Sequence, residues 1–413
     1  MPTGSVARMS WFRVLQFGLL TGVMASGYGV MFTVLDDFRD EYGIREAWLG
    51  LIVGIGFLTS FVAQIFLAPA ADRGHARRLV KLGMALNVVG LLMMAFGTSL
   101  APLLAGRFVS GIGIGMAFPA IRRIIINGDP GNLGSNLGLL LAADVAGFAT
   151  GPAISAVMVP TLGLPAPFIT IAVVTVLCAP IVLRVEIHEQ PITDAPHARL
   201  AFDLLRDRGI VAGLMMGSAV FLMIGTFDAL WVLVLDDLEA SDIIANLGIT
   251  IFALPLIFLG SYGGRLAQRI GPFRLGPLGL LLGAFFIANY GWLPNEFLML
   301  GFGAVHAVCD GLTVSSTAVG VGMVAPHERQ ASAQGLLGAA ETLTAGITAF
   351  VAGVLYEAGG RGLAFGTAAA VMVALAVGSA LVAGPERRQL RGVPLPSEPP
   401  IEIDPATAVT GHA

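Results

Sequence analysis

The sequence predicts an all-α membrane protein: twelve transmembrane helices in two pseudo-symmetric six-helix bundles, with both termini in the cytoplasm. A membrane composition, twelve apolar stretches of spanning length and a repeat relating the two halves predict this fold. Residues of the apolar set make up 56% of the 413 residues, and charged residues make up 12%. Ordinary soluble domains carry roughly 25% charged residues, so this composition suits a chain surrounded mainly by lipid.

A helix needs about 20 apolar residues to cross the ~30 Å of hydrocarbon in a bilayer. The sequence contains twelve stretches of this kind, which we take as spans one to twelve. They lie near 14–35, 47–70, 79–98, 101–124, 136–159, 166–184, 210–235, 242–263, 275–293, 297–320, 333–356 and 363–384.

The positions of the basic residues support the even count. With the N-terminus inside, most of the 23 Lys and Arg residues fall in cytoplasmic segments, where such residues are retained. Only Arg39, Arg45 and Arg361 fall outside, and Arg107 lies within a span. An odd number of spans would destroy this bias. We therefore expect a multi-pass protein of the cell inner (plasma) membrane.

The chain repeats itself at a distance of about 200 residues. Val-Leu-Asp-Asp-Phe at 34–38 returns as Val-Leu-Asp-Asp-Leu at 234–238, and the pattern at 138–144 returns at 335–341. Two copies of one hydrophobic bundle are typical of secondary transporters, whose halves rock around a central site.

Composition changes mark the domain boundaries. A polar stretch with two prolines, followed by an amphipathic run, separates spans six and seven, and the chain ends in a proline-rich segment of low apolar content. The expected units are a first bundle, a cytoplasmic linker, a second bundle and a disordered cytoplasmic tail, at 1–184, 185–208, 209–386 and 387–413.

The loop after span two resembles the signature loop of the major facilitator superfamily. It reads Ala-Pro-Ala-Ala-Asp-Arg-Gly-His-Ala-Arg-Arg at 68–78, with Asp72, Arg73 and Arg77 at the charged positions of the motif. Ala and His stand where the family has its glycines. A second version, Gly-Arg-Leu-Ala-Gln-Arg-Ile-Gly-Pro, follows at 264–272, at the corresponding place in the second half.

Two spans extend this resemblance. Arg107 in span four precedes three glycines at alternate positions, as in the Arg-bearing motif of the family. Span five carries Gly147, Gly151 and Pro152, similar to a motif of the proton-coupled drug and metabolite antiporters, although its closing glycine pair is replaced by Ser and Ala. The resemblance covers roughly residues 10–386 and implies the twelve-helix fold of that superfamily.

Elementary physics gives these motifs a conformational role. A carboxylate such as Asp72, just before span three, favours the positive end of a helix and can pair with Arg73 or Arg77. Such a cluster can stabilise one of two bundle arrangements. For the arginines, the alternative is ordinary cytoplasmic basic charge. Gly147 and Gly151 share one helix face and permit close helix contact, while Pro152 bends the helix.

Among the Asp, Glu, Lys and Arg residues of the predicted spans, five lie clearly away from the span ends: Asp144, Asp228, Asp310, Glu341 and Arg107. Each costs roughly 2.5–3.5 kcal/mol near a bilayer centre, so such residues are functional candidates by default. One arginine cannot neutralise four acids, and a carboxyl buried without a partner is more stable with a proton bound. We therefore predict proton coupling through these five residues. Asp144 and Glu341 occupy equivalent positions in the repeat, so helix-to-helix hydrogen bonding is an open alternative for them.

The resemblance implies that spans one, four, seven and ten line a central cavity. Tyr28, Phe227, Trp231 and His306 are the candidate cavity residues, because the aromatic pair flanks Asp228 and His306 precedes Asp310 by one helical turn. The alternative for each is ordinary packing.

The cavity spans lack the features of several substrate classes. They hold one amide, Gln16, whereas sugar sites need several polar groups, and away from the span ends Arg107 is the only arginine or lysine available for an anion. A lipophilic or amphiphilic small organic compound remains as the expected substrate.

The sequence also disfavours ATP drive and enzyme activity. There is no Gly-Lys-Ser/Thr phosphate loop and no hydrolase or dinucleotide motif. Cys178 and Cys309 both fall inside spans, which argues against a metal site. We expect no enzyme activity, cofactor or nucleic-acid partner. The hypothesis is a monomeric transporter that exports its substrate by proton antiport, and the alternative is proton-coupled uptake of a small organic solute.

Overall fold

The computed structural model describes residues 9–184 and 200–392, and every regular element within them is helical. The α-helices are α1 (Trp11–Thr33), α2 (Leu35–Tyr42), α3 (Glu46–Ala70), α4 (Ala76–Phe96), α5 (Leu100–Gly128), α6 (Leu133–Leu162), α7 (Pro165–Leu177), α8 (Ala179–Arg184), α9 (Arg208–Asp237), α10 (Asp242–Ile270), α11 (Pro272–Tyr290), α12 (Glu296–Thr313), α13 (Ser316–Val324) and α14 (Gln330–Arg388). Helix α14 contains non-helical residues at Gly359, Gly360 and Gly384, so it consists of two long helical parts and a short terminal one.

Within the described residues, eight helical stretches are long and apolar enough to cross a membrane. Two of them, Trp48–Phe96 and His327–Pro385, contain non-helical residues and each covers two of the spans expected from sequence. The all-helical membrane fold is thus confirmed. The count of twelve and the cytoplasmic position of the termini stay predictions.

The proposed division into two bundles also stays a prediction. Residues 185–199 of the expected linker and 393–413 of the expected tail lie outside the described residues. The described part of the linker forms a short 3-10 helix at Ala201–Arg206. Its side chains Ala201 and Leu204 are buried in a cluster with residues of α9, α13 and α14, so this segment is attached to the second half.

Glycines allow helices α1 and α6 to touch through their backbones. A Cβ atom added at Gly147 would overlap the carbonyl of Gly22, and one added at Gly151 would overlap the backbone of Gly29 and Val30. The structure shows the close helix contact expected from the four-residue spacing of this pair. The role of Gly147, Gly151 and Pro152 in switching stays a prediction.

The two halves meet closely at one end of the bundle. We call it the basic end, because Arg73, Arg123, Arg269 and Arg387 lie there. On one side of this end, α6 packs against α10 through glycine backbones at 134 and 138 facing 264 and 260. The Ser135 and Ser261 hydroxyl oxygens lie 2.9 Å apart in the same contact.

The second contact between the halves at the basic end joins α3 to α14. A Cβ at Gly335 would meet Ala68 and Gln64, and one at Gly338 would overlap the Gln64 amide. Toward the opposite end of the same two helices, Cβ atoms at Gly54 and Gly353 would meet no heavy atom within 4 Å. The structure is therefore closed at the basic end and looser at the other.

We expect Gly147→Val to destabilise the protein, because the new side chain must push α1 away from α6. Overpacking of this kind costs about 1–3 kcal/mol. Gly353→Val is the matched control, since its side chain enters open space. Thermal unfolding in detergent measures both variants. Equal unfolding midpoints would contradict the importance of the α1–α6 contact.

Candidate functional site

The carboxylate of Asp72 joins the two halves at the basic end. Its side chain is 1% exposed, and its two oxygens accept hydrogen bonds from the backbone N–H groups of Ala331 at 2.9 Å and Ser332 at 2.7 Å. These groups open helix α14, where unpaired N–H donors and the helix dipole favour a negative charge. The Arg123 Nε atom lies 3.0 Å from the same carboxylate. Asp72 is thus held by α5 of its own half and by α14 of the other.

A break in the backbone positions Asp72. Arg73 and Gly74 are non-helical, and Gly74 has φ of 83°, a conformation that favours glycine. The break ends the turn after α3 and lets the preceding carboxylate face α14. The structure gives Asp72 two partners that the sequence did not suggest, Arg123 and the start of α14. Arg123 is distant in the sequence, and no local pattern points to it.

The second half contains a neutral copy of this contact. Gln268 occupies the position equivalent to Asp72, and its Oε1 atom accepts a hydrogen bond from the Gly134 N–H at 2.8 Å, in the first turn of α6. Its Nε2 atom donates to backbone carbonyls of the α5–α6 connection at Gly131 and Pro130, at 3.2 and 3.4 Å. Both repeats therefore place a side chain against the start of a helix in the other half. Only the side chain from the first half, Asp72, carries a charge.

The linker is attached next to the Asp72 contact. The two Asp203 carboxylate oxygens accept hydrogen bonds from Arg329 at 2.8 and 2.9 Å, a bidentate pair. These hydrogen bonds hold the pKa of Asp203 below its usual range. Arg329 directly precedes α14, so the linker and Asp72 both act on the start of the same helix.

Arg107 and Tyr28 lie together in the first half. The guanidinium carbon of Arg107 is 4.2 Å from the centre of the Tyr28 ring, a cation–π contact. Arg107 is 1% exposed and donates from Nε to the Ile52 carbonyl at 3.3 Å, while the Tyr28 hydroxyl donates to the Gly56 carbonyl at 3.2 Å. Two residues predicted for different roles, proton coupling and substrate contact, thus form one buried unit.

Asp144 and Glu341 approach each other across the two halves. They interact electrostatically, and both interact with Arg122 of α5. Glu341 is 7% exposed, and Asp144 Oδ1 has no hydrogen-bond partner within the described residues. Sequence reasoning missed Arg122, because it was counted among the basic residues at the cytoplasmic end of span four. The structure brings it toward the two acids.

Asp310 and His306 lie inside the second half. The His306 Nε2 atom is 3.5 Å from Asp310 Oδ2, and its Nδ1 atom is 3.0 Å from the Tyr290 hydroxyl of α11. Asp310 borders a cavity of about 10 Å³ that Thr313 and Thr317 also line. This volume holds about one water molecule. These contacts join α12 to α11, and the direct role of His306 in substrate binding stays a prediction.

Asp228 differs in exposure from the aromatic residues beside it in the sequence. Phe227 and Trp231 stack at a centroid distance of 4.6 Å, are 8% and 1% exposed, and pack against Phe252 and Tyr290 of the second half. Asp228 is exposed. Neighbouring residues on a helix point about 100° apart, since a turn takes 3.6 residues. Trp231 follows Asp228 by three residues, a spacing that places the two on one helix face, so the grouping of the acid with the aromatic pair and their cavity roles stay predictions.

Comparison with known proteins identifies the family. The sequence profile described as Major Facilitator Superfamily matches residues 17–237 and 217–409. The chain belongs to the major facilitator superfamily. Members of this superfamily are membrane transporters and not enzymes, so the chain is a multi-pass membrane protein of a transporter family.

Solved structures show the same fold. The human organic anion transporter MFSD10 (TETRAN) superposes with a TM-score of 0.69, at 15% identity, over 89% of this chain and 99% of its own. The proton:xylose symporter XylE, bound to 6-bromo-6-deoxy-D-glucose, superposes with a TM-score of 0.72, at 15% identity, over 90% and 94%. At this identity, the likeness concerns the fold alone.

Sequence relatives include two resistance proteins of the superfamily. The Multidrug resistance protein MdtG of Serratia proteamaculans (strain 568) is 29% identical over 239 residues, which cover 55% of this chain and 57% of MdtG. The Quinolone resistance protein NorA of Staphylococcus aureus (strain MRSA252) is 27% identical over 146 residues, which cover 35% of this chain and 37% of NorA. The matches thus span about a third to just over half of these relatives.

We expect Asp72→Asn to weaken the closed basic end, because an amide cannot accept both backbone hydrogen bonds and carries no charge. Hydrogen bonds to charged groups contribute about 1.5–3 kcal/mol, so the open fraction should rise roughly tenfold or more. Alkylation of Ser135→Cys, placed in the other contact between the halves, measures that fraction. Asp36→Asn, exposed at the opposite end, is the control. Unchanged alkylation in Asp72→Asn would contradict the proposed role of the carboxylate.

Proposed function

We propose that the protein is a proton-coupled exporter of a lipophilic or amphiphilic small organic compound, working by alternating access as a monomer in the plasma membrane. The observation that carries the proposal is the Asp72 contact to the start of α14, which joins the halves at one end of the bundle. Two resistance proteins among the relatives support the export direction.

Alternating access requires two arrangements of the same halves. The present arrangement is closed at the basic end by the contacts of α3 with α14 and of α6 with α10. Positive residues are retained on the cytoplasmic side, so we assign the basic end to the cytoplasm and this arrangement to the outward-open state. For an exporter, this is the state that releases substrate and accepts a proton.

The proton site of this proposal lies among the four acids of the predicted spans. Asp144 and Glu341 share Arg122, so the ionised group of three carries one negative charge in excess. An uncompensated charge inside the protein is costly, and one bound proton removes it. Asp310 and the exposed Asp228 are further proton carriers in the proposal, and Arg107 provides a positive charge in the outer part of the first half.

The energetics of proton drive are sufficient. Export against a hundredfold concentration gradient costs about 2.7 kcal/mol, and the return of one elementary charge across 100 mV supplies about 2.3 kcal/mol. One or two protons per cycle therefore suffice, and no nucleotide is needed.

The substrate class follows from the chemistry of the cavity spans, which are spans one, four, seven and ten. They carry one amide, few basic residues and many aromatic and aliphatic side chains, which suits a compound recognised mainly by apolar contact. An exposed acid, Asp228, adds a preference for a positive charge on that compound. The xylose symporter shares the fold. A sugar needs several polar groups in its site, and the cavity spans of this chain supply few.

A reconstitution experiment tests the function. Purified protein in liposomes should accumulate lipophilic cations against their gradient when a pH difference alone is imposed, and substrate addition should release protons from the protein. Proton uptake on substrate addition, with transport in the direction of the proton, would replace export by the uptake alternative. No response to any compound in a chemically broad library would contradict the proposal.

We expect at least one of Asp144→Asn, Asp228→Asn, Asp310→Asn and Glu341→Gln to bind substrate but lose pH-driven accumulation. The amide keeps the shape and hydrogen bonding of the side chain and removes its titration. Asp36→Asn, at an exposed acid, is the control and should transport normally. If all four variants keep pH-driven transport, these carboxyls do not couple protons.

A further inference from the structure

The chain continues past α14 across the basic end. We call residues 389–392 the terminal strap. Two arginines fix the point at which it leaves the helix: Arg387 donates to Asp207 at 2.7 Å, and Arg388 Nε donates to the Ala380 carbonyl at 2.9 Å. Asp207 in turn caps the start of α9, with its carboxylate accepting from the Gly209 N–H at 2.6 Å. The strap therefore starts from a rigid part of the second half.

The strap pairs with Gln268 at both backbone and side chain. The Gly392 N–H donates to the Gln268 carbonyl at 2.7 Å, and the Gln268 Nε2 atom donates to the Gly392 carbonyl at 2.8 Å. Gly392 has φ of 87°, a conformation that other residues rarely adopt. This turn lets its N–H and its carbonyl reach the same glutamine.

The strap sets the orientation of the Gln268 amide. The Nε2 atom has three carbonyl partners, and Gly392 is the nearest, at 2.8 Å against 3.2 Å for Gly131 and 3.4 Å for Pro130. A carbonyl at this place requires the nitrogen of the amide to face it. The oxygen then points to the Gly134 N–H of the other half, where the bond is 2.8 Å. The strap thus supports a contact that joins the halves.

The strap also packs against the core at the basic end. Leu390 is half-buried and lies against a core cluster to which both halves contribute, Leu137 from the first and Ala267 from the second among them. Its carbonyl lies 2.9 Å from the position of a Cβ at Gly271, in the turn between α10 and α11. The strap therefore lies against Gln268, the turn between α10 and α11 and a core cluster that both halves share.

We propose that the terminal strap regulates the transporter by stabilising the arrangement closed at the basic end, acting through Gln268 and Leu390. Release of the strap shifts the protein toward the arrangement open at that end. The inference rests on the alternating access proposed above and extends it, because it gives the C-terminal segment control over the equilibrium between the two arrangements.

Two truncations test this inference. One ends the chain after Gly392 and keeps the strap, and the other ends it after Arg388 and removes the strap. The reporter is Ser332→Cys, which is 1% exposed in the α3–α14 contact and thus lies away from Gln268. Cys178 and Cys309 are replaced by alanine, and the alkylation rate of the reporter measures the open fraction.

Loss of two short hydrogen bonds and one apolar contact should raise the open fraction about tenfold. We expect this increase after truncation at Arg388, and a rate within twofold of the full chain after truncation at Gly392. Equal rates for the two truncations would overturn the proposal. Alkylation requires no transport, so the result is independent of whether the protein exports the compounds tested.

Two further variants separate the strap's action from loss of folding. Gln268→Met in the full chain keeps the side-chain length and removes its hydrogen bonds, so it should raise the rate similarly. Combining it with truncation at Arg388 should add little, because both changes remove the same contact. Fully additive effects would contradict the action through Gln268.

Leu390→Ser in the full chain should raise the rate without lowering the thermal unfolding midpoint by more than a few degrees, and an unchanged rate would count against the apolar contact.

Discussion

A charge that enters a protein surrounded by lipid must find its partner inside the chain, and this constraint governs the arrangement of the molecule. Asp72 takes two N–H groups and an arginine. Arg107 takes an aromatic face and a backbone carbonyl. Arg122 interacts with two acids from different halves. These partners come from separate helices, so each charge fixes how several helices lie together, and a change of arrangement must exchange its partners.

Glycine makes that exchange possible. Where α6 meets α10, glycine backbone touches glycine backbone at 134 and 264 and at 138 and 260. At these positions the halves can separate and close again without rearranging side chains between the glycines. Within each half the same device has the opposite consequence: the contact between Gly147 and Gly22 holds α1 and α6 together, where no movement is required. Small residues thus occur in both permanent and reversible helix contacts. The surrounding polar groups determine whether a contact is permanent or reversible.

The sequence predicted the fold well because hydrophobicity, repeat and basic-residue distribution are properties of long segments. It also pointed to the charged loop at Asp72 and to the close packing at Gly147. The sequence was a poorer guide to which charged side chains pair with each other. Arg122 was counted with the basic residues at the cytoplasmic end of span four, and Arg123 was not singled out as a partner of Asp72. These errors share a cause: the pairing of a side chain depends on tertiary contact, and helical spacing constrains only its neighbours on the same helix.

The difference between Asp72 and its neutral copy Gln268 has an electrical consequence. A membrane potential exerts force on a net charge and almost none on an amide, and displacing one elementary charge through the whole of a 100 mV drop changes the energy by about 2.3 kcal/mol. Two seams close the basic end, one held by a carboxylate and one by a glutamine. In the closed arrangement Arg123 balances the charge of Asp72. The membrane potential therefore acts on the seam between α3 and α14 only where opening separates this pair, and the amide of Gln268 offers it no charge in the seam between α6 and α10.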